Sequence, residues 1–316
     1  MKNHLDPQNE AFAEAISGEP APHVLGYVKV REALEVLQKH EPAPDIMTET
    51  IKVPGEDGSF TDMVIFRPKS ATKPCHMVFY THGGGWILGS PASFAPLMED
   101  LARQSEAAMV FPCYTAAPEK QYPFQFEQTY KALDYIVRNG HKHNILVESI
   151  ALAGDSVGGH MAIAMMQMPI ERNLPARIGQ MILFYPVTDT RIKMESYETF
   201  KDGPFLPVET MDWMIDAFLP NKKDRETALA SPLSFLADEV LSKFPPTTIF
   251  LSDMDPLIDE GRAFGHRLQK VGVDAAVIRA EGQIHAFVLA KPIRQSAAAR
   301  AMVELAACKM RKAFSS

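Results

Sequence analysis

The apolar run Ile150-Ala-Leu-Ala153 leads into Gly154-Asp-Ser156-Val-Gly158-Gly159-His160 and then directly into the apolar segment Met161–Met168. Small and branched residues before the pentapeptide read as a buried strand, and those after it as a helix. A serine on a sharp strand-to-helix turn has its hydroxyl pushed out of the sheet and set at a helix N-terminus. There, unpaired amides and the macrodipole favour developing negative charge. A side chain at Gly154 or Gly158 would strike the neighbouring strands, so the turn favours glycine at both flanks. The chemistry on offer is nucleophilic attack by Ser156. Its hydroxyl is scarcely ionised near neutral pH, so it needs a general base, and the base needs an acid to fix its tautomer and steady the imidazolium.

Among the ten histidines, His285 stands out. It lies in Glu281-Gly-Gln-Ile-His285-Ala-Phe287, just past the strand-like run Ala275–Arg279, which places it at the carboxyl edge of a parallel sheet, the edge that also presents Ser156. Asp255, in Ser252-Asp-Met-Asp255-Pro-Leu-Ile-Asp-Glu260, follows the run Thr247–Leu251 at the same edge. The interval between the two holds one helix and one strand, so their loops should leave adjacent strands. Asp259 reads as a charge in the first turn of the following helix, and Asp253 as a supporting residue. His141 and His143 flank Lys142 at a helix end in a solvated pattern, not that of metal ligands. His160 reads as packing or surface.

A second feature lies upstream. His82-Gly83-Gly84-Gly85-Trp86 follows the strand-like Val78-Phe-Tyr-Thr81. A glycine-rich loop leaving a strand points backbone N–H groups into a pocket with no side chain in the way, and such donors stabilise the oxyanion of a tetrahedral intermediate. Val157, directly after the serine, would add its own N–H. No Lys-Ser/Thr follows the glycines, which argues against a phosphate-binding loop. His82 reads as a structural histidine that orients the loop.

Positioning these residues requires a sheet. Runs at Glu49–Val53, Asp62–Phe66 and His76–Thr81, separated by Gly55-Glu-Asp-Gly58 and Pro68-Lys-Ser-Ala-Thr-Lys-Pro74, suggest an antiparallel start. Thereafter strands at Ala108–Tyr114, Ile150–Ala153, Met181–Tyr185, Thr247–Leu251 and Ala275–Arg279 alternate with helices near 97–105, 125–139, 259–271 and 296–314. That alternation predicts an α/β fold with a mostly parallel sheet covered on both faces. Residues 1–45 read as two short amphipathic helices around the Gly18-Glu-Pro-Ala-Pro22 break, a cap segment preceding a catalytic domain of 46–316. The stretch from 191 to about 237 is rich in Met, Phe and Pro and has no strand; it reads as a cap insertion over the sheet edge. Phe205, Trp213 and Phe218 from this insertion, with Trp86 from the glycine loop, are the candidate substrate-binding residues, although helix packing explains Trp213 and Phe218 equally well. The insertion around them and Met214 is expected to set acyl and alcohol specificity. Met161, Met165, Met166 and Met168 read mainly as core filler.

Composition narrows the partners. The chain has 316 residues, 46% of them hydrophobic, and a net charge of −7, with no basic cluster beyond pairs such as Lys222-Lys223. A nucleic-acid footprint and attraction to an anionic membrane surface are therefore not expected. No apolar stretch reaches spanning length. Cys75, Cys113 and Cys308 are odd in number and far apart, which predicts buried reduced thiols rather than a disulfide or metal site. The N-terminal stretch lacks an apolar signal core, so a cytoplasmic location is expected. A small-molecule ester is the expected partner, and a homodimer is compatible with the sequence.

Together, His82-Gly-Gly-Gly85, Gly154-Asp-Ser-Val-Gly158, Asp255-Pro-Leu and His285-Ala-Phe resemble the hormone-sensitive-lipase-like branch of the α/β-hydrolases, from about residue 45 to the C-terminus. Tyr114-Thr-Ala-Ala-Pro118-Glu119 is similar to that family's Tyr-Arg-Leu-Ala-Pro-Glu segment, with Thr115 and Ala116 in place of Arg-Leu. The resemblance implies an eight-stranded sheet, a helical cap and an oxyanion hole from Gly83, Gly84 and Val157. It also implies carboxylic ester hydrolysis without a cofactor or metal, with Ser156, Asp255 and His285 as catalytic residues; short to medium acyl groups are expected. Val157 stands where alanine is more frequent, adding bulk beside the oxyanion site. Two other readings use the same residues. An acyltransferase, deacetylase or lactonase would keep the acyl-enzyme, and a non-catalytic receptor would lose the base, which here is present.

Overall fold

A computed structural model describes residues 4–55, 58–71 and 73–314. Glu56 and Asp57 in the first predicted turn, Thr72 in the next connection and the first three residues of the N-terminal stretch lie outside the described residues. The strands are β1 (Ile46–Pro54), β2 (Phe60–Pro68), β3 (Cys75–Thr81), β4 (Ala108–Pro112), β5 (Ile145–Asp155), β6 (Arg177–Phe184), β7 (Thr247–Met254) and β8 (Ala275–Ile284). They form one eight-stranded sheet in the order β1-β2-β4-β3-β5-β6-β7-β8. β2 pairs antiparallel with β1 and β4, and every other neighbouring pair is parallel. The antiparallel start and the parallel remainder follow the turn-rich and then alternating sequence pattern.

Helices α1 (Pro7–Ile16), α2 (Pro22–Leu25) and α3 (Tyr27–Leu37) precede the sheet; α4 (Pro91–Ser105), α5 (Phe124–Asn139) and α6 (Val157–Arg172) link its middle strands. Between β6 and β7 come α7 (Glu195–Thr199), α8 (Val208–Phe218), α9 (Pro232–Phe235) and α10 (Asp238–Leu241). Helix α11 (Ile258–Lys270) joins β7 to β8, and α12 (Ala297–Lys312) follows β8. Among the described residues the N-terminal region holds three helices, not two. Gly26, at φ +78°, interrupts what the periodicity reads as a single second helix.

Strand periodicity sorts the core into two layers. Met77 and Phe79 of β3 with Ile150 and Leu152 of β5 pack against Phe126 of α5, Met161 and Met165 of α6 and Phe264 of α11. Val78 and Tyr80 with Ala151 and Ala153 face the opposite layer, where Phe94 and Leu101 of α4 meet Val303 and Ala306 of α12. All four methionines of α6 named above are buried. Among the described residues no helix is long and apolar enough to cross a membrane. Cys75, Cys113 and Cys308 are free, and burial pushes the Cys113 thiol up to about 12.

β7 and β8 each run farther than their apolar runs suggest. Ser252-Asp-Met254 and Ala280–Ile284 look polar enough for loops, yet they stay in the ladder around a bulge, with Met254 opposite Ile284. Asp253 holds this extension by accepting from the Gly282 N–H at 3.0 Å and by pairing with Arg279. Asp255 and His285 therefore each follow directly on paired strand ends.

Candidate active site

Ser156 sits between β5 and α6 at φ +54°, ψ −123°, a conformation that costs a non-glycine residue about 1–3 kcal/mol and persists only where its surroundings impose it. They do so here on both sides. The Ser156 N–H donates to the Phe184 carbonyl at 2.8 Å, and its own carbonyl accepts from Val187 N–H at 3.1 Å. A Cβ at Gly154 or Gly158 would collide with Thr81 at the end of β3, so both glycines are needed for the turn to lie this close to the neighbouring strand.

The structure brings Ser156, His285 and Asp255 together. Ser156 Oγ lies 3.0 Å from His285 Nε2, and His285 Nδ1 lies 2.6 Å from Asp255 Oδ2. All three are buried, Asp255 completely. The second Asp255 oxygen accepts from Leu257 N–H at 3.0 Å, so the desolvated carboxylate has a partner for each oxygen. Tyr185, at φ +36°, lays its ring against the His285 imidazole with centroids 4.7 Å apart. A nucleophile, a base within hydrogen-bonding reach and an acid holding that base are the arrangement acyl transfer through a serine requires.

The glycine loop departs from the sequence reading at one position. Gly83 N–H donates to Asp155 Oδ1 at 2.9 Å, so it is committed to the scaffold and is not an oxyanion donor. Gly84 and Gly85, at φ +98° and +64°, have no partner for their N–H groups among the described residues, and Val157 N–H sits at the first position of α6. The donor set the geometry offers is therefore Gly84, Gly85 and Val157. Asp155 also accepts from Tyr80 Oη at 2.9 Å, and burial raises its carboxyl to about 6 against those two hydrogen bonds.

The family model described as the alpha/beta hydrolase fold matches residues 78–289. The chain belongs to the α/β-hydrolase family. Within it, this hydrolase stands among the carboxylesterases of the hormone-sensitive-lipase-like branch. An esterase from Gibberella moniliformis is 62% identical to it over 98% of both chains. The crystal structure of carboxyl esterase 2 from the fungus Tuber melanosporum superimposes with a TM-score of 0.90 at 32% identity, covering 98% of this chain and 99% of that one. A thermostable esterase from Pseudomonas putida gives 0.93 at 30% identity over 98% of each. The chain is a carboxylesterase-type hydrolase that cleaves carboxylic esters.

His82 of this hydrolase is buried between the faces of Phe111 and Tyr114, with centroids 4.8 and 4.2 Å away. Burial lowers its imidazole to about 4, so the ring is neutral and its Nδ1–H donates to the Gly83 carbonyl at 2.8 Å. It orients the loop, in line with the sequence reading. His160 is buried against Trp86 and Phe126, again lowered to about 4 by burial. His143 is not a solvated surface group: its Nδ1 meets Glu49 Oε1 at 2.7 Å beside Arg67. Asp259 accepts from Ser196 N–H at 2.9 Å and pairs with Arg262.

The proposed substrate-binding residues divide. Trp86 and Phe218 are fully buried and stack face to face with centroids 4.4 Å apart. Each covers the other's face, and Tyr122 and Phe126 close the edges of Phe218. They join α8 to the body and have no surface left for a ligand. Trp213 stacks on Tyr27 at 4.7 Å and lines an open groove of about 510 Å³ whose lining includes none of Ser156, Asp255 and His285. Phe205 is half-buried against Phe12 and touches both core layers. Met214 of α8 reaches the glycines themselves, its side chain lying where a Cβ on Gly85 would point. Asp155 and Glu260 escaped the sequence reading. The signals were present, as the variable position of Gly-x-Ser-x-Gly and an acidic residue in an otherwise amphipathic helix turn, but neither declares burial.

Proposed function

We propose that Ser156 is the nucleophile of this esterase, His285 its general base and acid, and Asp255 the partner that fixes the imidazole. Ser156 Oγ attacks the ester carbonyl carbon as its proton passes to His285 Nε2. Asp255 accepts the Nδ1–H and stabilises the imidazolium. The carbonyl oxygen, now an oxyanion, is met by the N–H groups of Gly84, Gly85 and Val157, each worth about 3–4 kcal/mol to the transition state when preorganised. His285 returns the proton to the leaving alkoxide, which departs as the alcohol. Water then attacks the acyl-enzyme with its proton taken by the same nitrogen, and the acid is released with Ser156 restored. The observation that carries this reading is the pair of contacts, 3.0 and 2.6 Å, that run from Ser156 through His285 to Asp255.

Residues 1–45 and 191–237 form the cap in this reading, and short to medium acyl groups are the substrates. What supports the chain-length reading is Met214, whose side chain packs directly over Gly85 beside the proposed oxyanion donors. The test uses p-nitrophenyl esters from acetate to dodecanoate. Turnover should peak between acetate and octanoate, and Ser156→Ala should abolish both turnover and labelling by a fluorophosphonate while its melting curve stays intact. Labelling that persists in Ser156→Ala would move the nucleophile elsewhere.

A further inference from the structure

The N-terminal segment does more than precede the sheet. β8 is an edge strand, so the backbone groups on its outer side have no neighbouring strand to satisfy them. Residues 6–9 stand in for one. Asp6 N–H donates to the Gly282 carbonyl at 2.9 Å, and Ile284 N–H donates to Asn9 Oδ1 at 3.0 Å. Asn9 Nδ2 donates in turn to Gln283 Oε1 at 3.0 Å and to Asp6 Oδ1 at 3.2 Å. Gln283 Oε1 also accepts from Ser296 Oγ, the N-cap of α12, at 2.9 Å. Gly282, at φ +70°, packs so closely that a Cβ there would press on Asp6 N and His4 O. Asn9 is fully buried, a placement an amide tolerates only when its hydrogen bonds are made. Those bonds end on Gln283 and Ile284, the two residues directly before His285.

A second buried amide grips the chain on the far side. Gln38 Nε2 donates to the Leu289 carbonyl at 2.9 Å and the Ser93 carbonyl at 3.1 Å, and Gln38 Oε1 accepts from Lys291 N–H at 2.8 Å. The stretch 282–291 is thus pinned at both ends by side chains from the first forty residues, with His285 between the pins and Ala286 at φ +63°. His285 must meet Ser156 and Asp255 at once, through opposite nitrogens of one ring, and a loop displaced by an ångström breaks one of the two contacts.

We infer that Asn9 and Gln38 are positioning residues for His285, so that the N-terminal segment belongs to the catalytic device and is not only a cover over it. This rests on His285 being the base. Asn9→Ala is expected to lower kcat about ten- to hundredfold, the scale on which a misplacement near 1 Å acts, with KM changed by less than about twofold. The far-downfield proton resonance of the His285–Asp255 hydrogen bond, read on the intact protein, should broaden or vanish in step. Gln38→Met, which keeps volume and removes the amide, should act in the same direction and gives the same readouts if Asn9→Ala does not fold. His285→Gln serves as the reference. If it retains activity, the base assignment falls and this inference with it. If His285→Gln is inactive while folded Asn9→Ala and Gln38→Met keep wild-type kcat and an unchanged downfield resonance, losing only melting temperature, the two amides are structural and the inference alone is overturned.

Discussion

Glu260→Gln tests how the acid-bearing segment is held, and its magnitude can be worked from the structure. Glu260 lies in the first turn of α11, five residues after Asp255, and is fully buried. Oε1 accepts from Thr188 N–H at 2.6 Å and Oε2 from Tyr197 Oη at 2.7 Å. Tyr197 belongs to α7, whose Ser196 also donates to the Pro256 carbonyl at 2.6 Å. This carboxyl therefore ties α7 of the insertion to the chain that carries Asp255. Burial raises it from 4.5 to about 8, outweighing the hydrogen bonds from Thr188 and Tyr197 that favour the ionised form. The folded protein thus holds a proton at pH 6–8 that the unfolded chain has released. Its contribution to stability is fully present below the unfolded value of 4.5 and is lost as pH rises through about 8. Within that window the loss is about 1.4 kcal/mol per pH unit, so from pH 6 to pH 9 the wild type should lose about 2–3 kcal/mol through this group, with the slope flattening above 8 as the folded carboxyl ionises too. Glutamine keeps the shape and an acceptor for Thr188, and cannot ionise. Urea unfolding followed by the fluorescence of Trp86 and Trp213 reads the effect, since the remaining titrating groups are common to both proteins. The stability of Glu260→Gln relative to wild type should rise by about 2–3 kcal/mol between pH 6 and pH 9. Parallel curves across that range would show that the folded carboxyl is already ionised at pH 6 and would refute the argument.

Two further substitutions probe the site itself. Asp155→Ala removes the acceptor of both Gly83 N–H and Tyr80 Oη and leaves two buried donors, each costing about 1–3 kcal/mol. It should lower the melting temperature and reduce kcat by loosening the glycine loop, whereas Asp155→Asn keeps an acceptor and should retain most of both; steady-state kinetics with p-nitrophenyl butyrate and a thermal melt separate the two, and equal losses would dissociate Asp155 from the loop. Met214→Ala opens the space over Gly85. With each accommodated methylene worth about 0.8 kcal/mol, room for two more should raise the kcat/KM ratio of octanoate to butyrate by about tenfold, and an unchanged ratio would place the acyl chain away from α8.

What the sequence made legible, and what it did not, follows from the range of the interactions. The inner strands appeared in the pattern because a strand buried on both faces, as β4 is, must be apolar along its length, whereas β1 showed itself through alternation and its flanking turns. Ser156 and its glycines were legible because a strained turn between packed strands tolerates few residue types. Asp255 and His285 were reachable because parallel topology sends successive strand ends to one edge. Their register was not: the pairing of Met254 with Ile284 depends on Asp253 meeting Gly282 across the bulge, a contact between segments nearly thirty residues apart. Gly83 misled for a related reason. All three glycines of the loop are locally equivalent, and only the carboxylate of Asp155, from a different strand, takes the first of them out of the donor set.

The same limit explains the aromatic residues and the amides. Trp86, Trp213 and Phe218 carry large apolar surfaces, which suit a pocket and a helix interface alike; a partner decides between them, and for Trp86 and Phe218 each is the other's partner. Nothing in the local sequence around Asn9 or Gln38 marks either for burial. Asn9 is buried where it covers the outer side of β8, the last strand of the sheet, and Gln38 where it reaches the chain past that strand. Here the Asp6 N–H and the Asn9 amide cover the outer side of β8 while the Gln38 amide holds the chain beyond it at Leu289 and Lys291. Through them, we infer, the geometry of His285 depends on residues some 250 positions away in the chain.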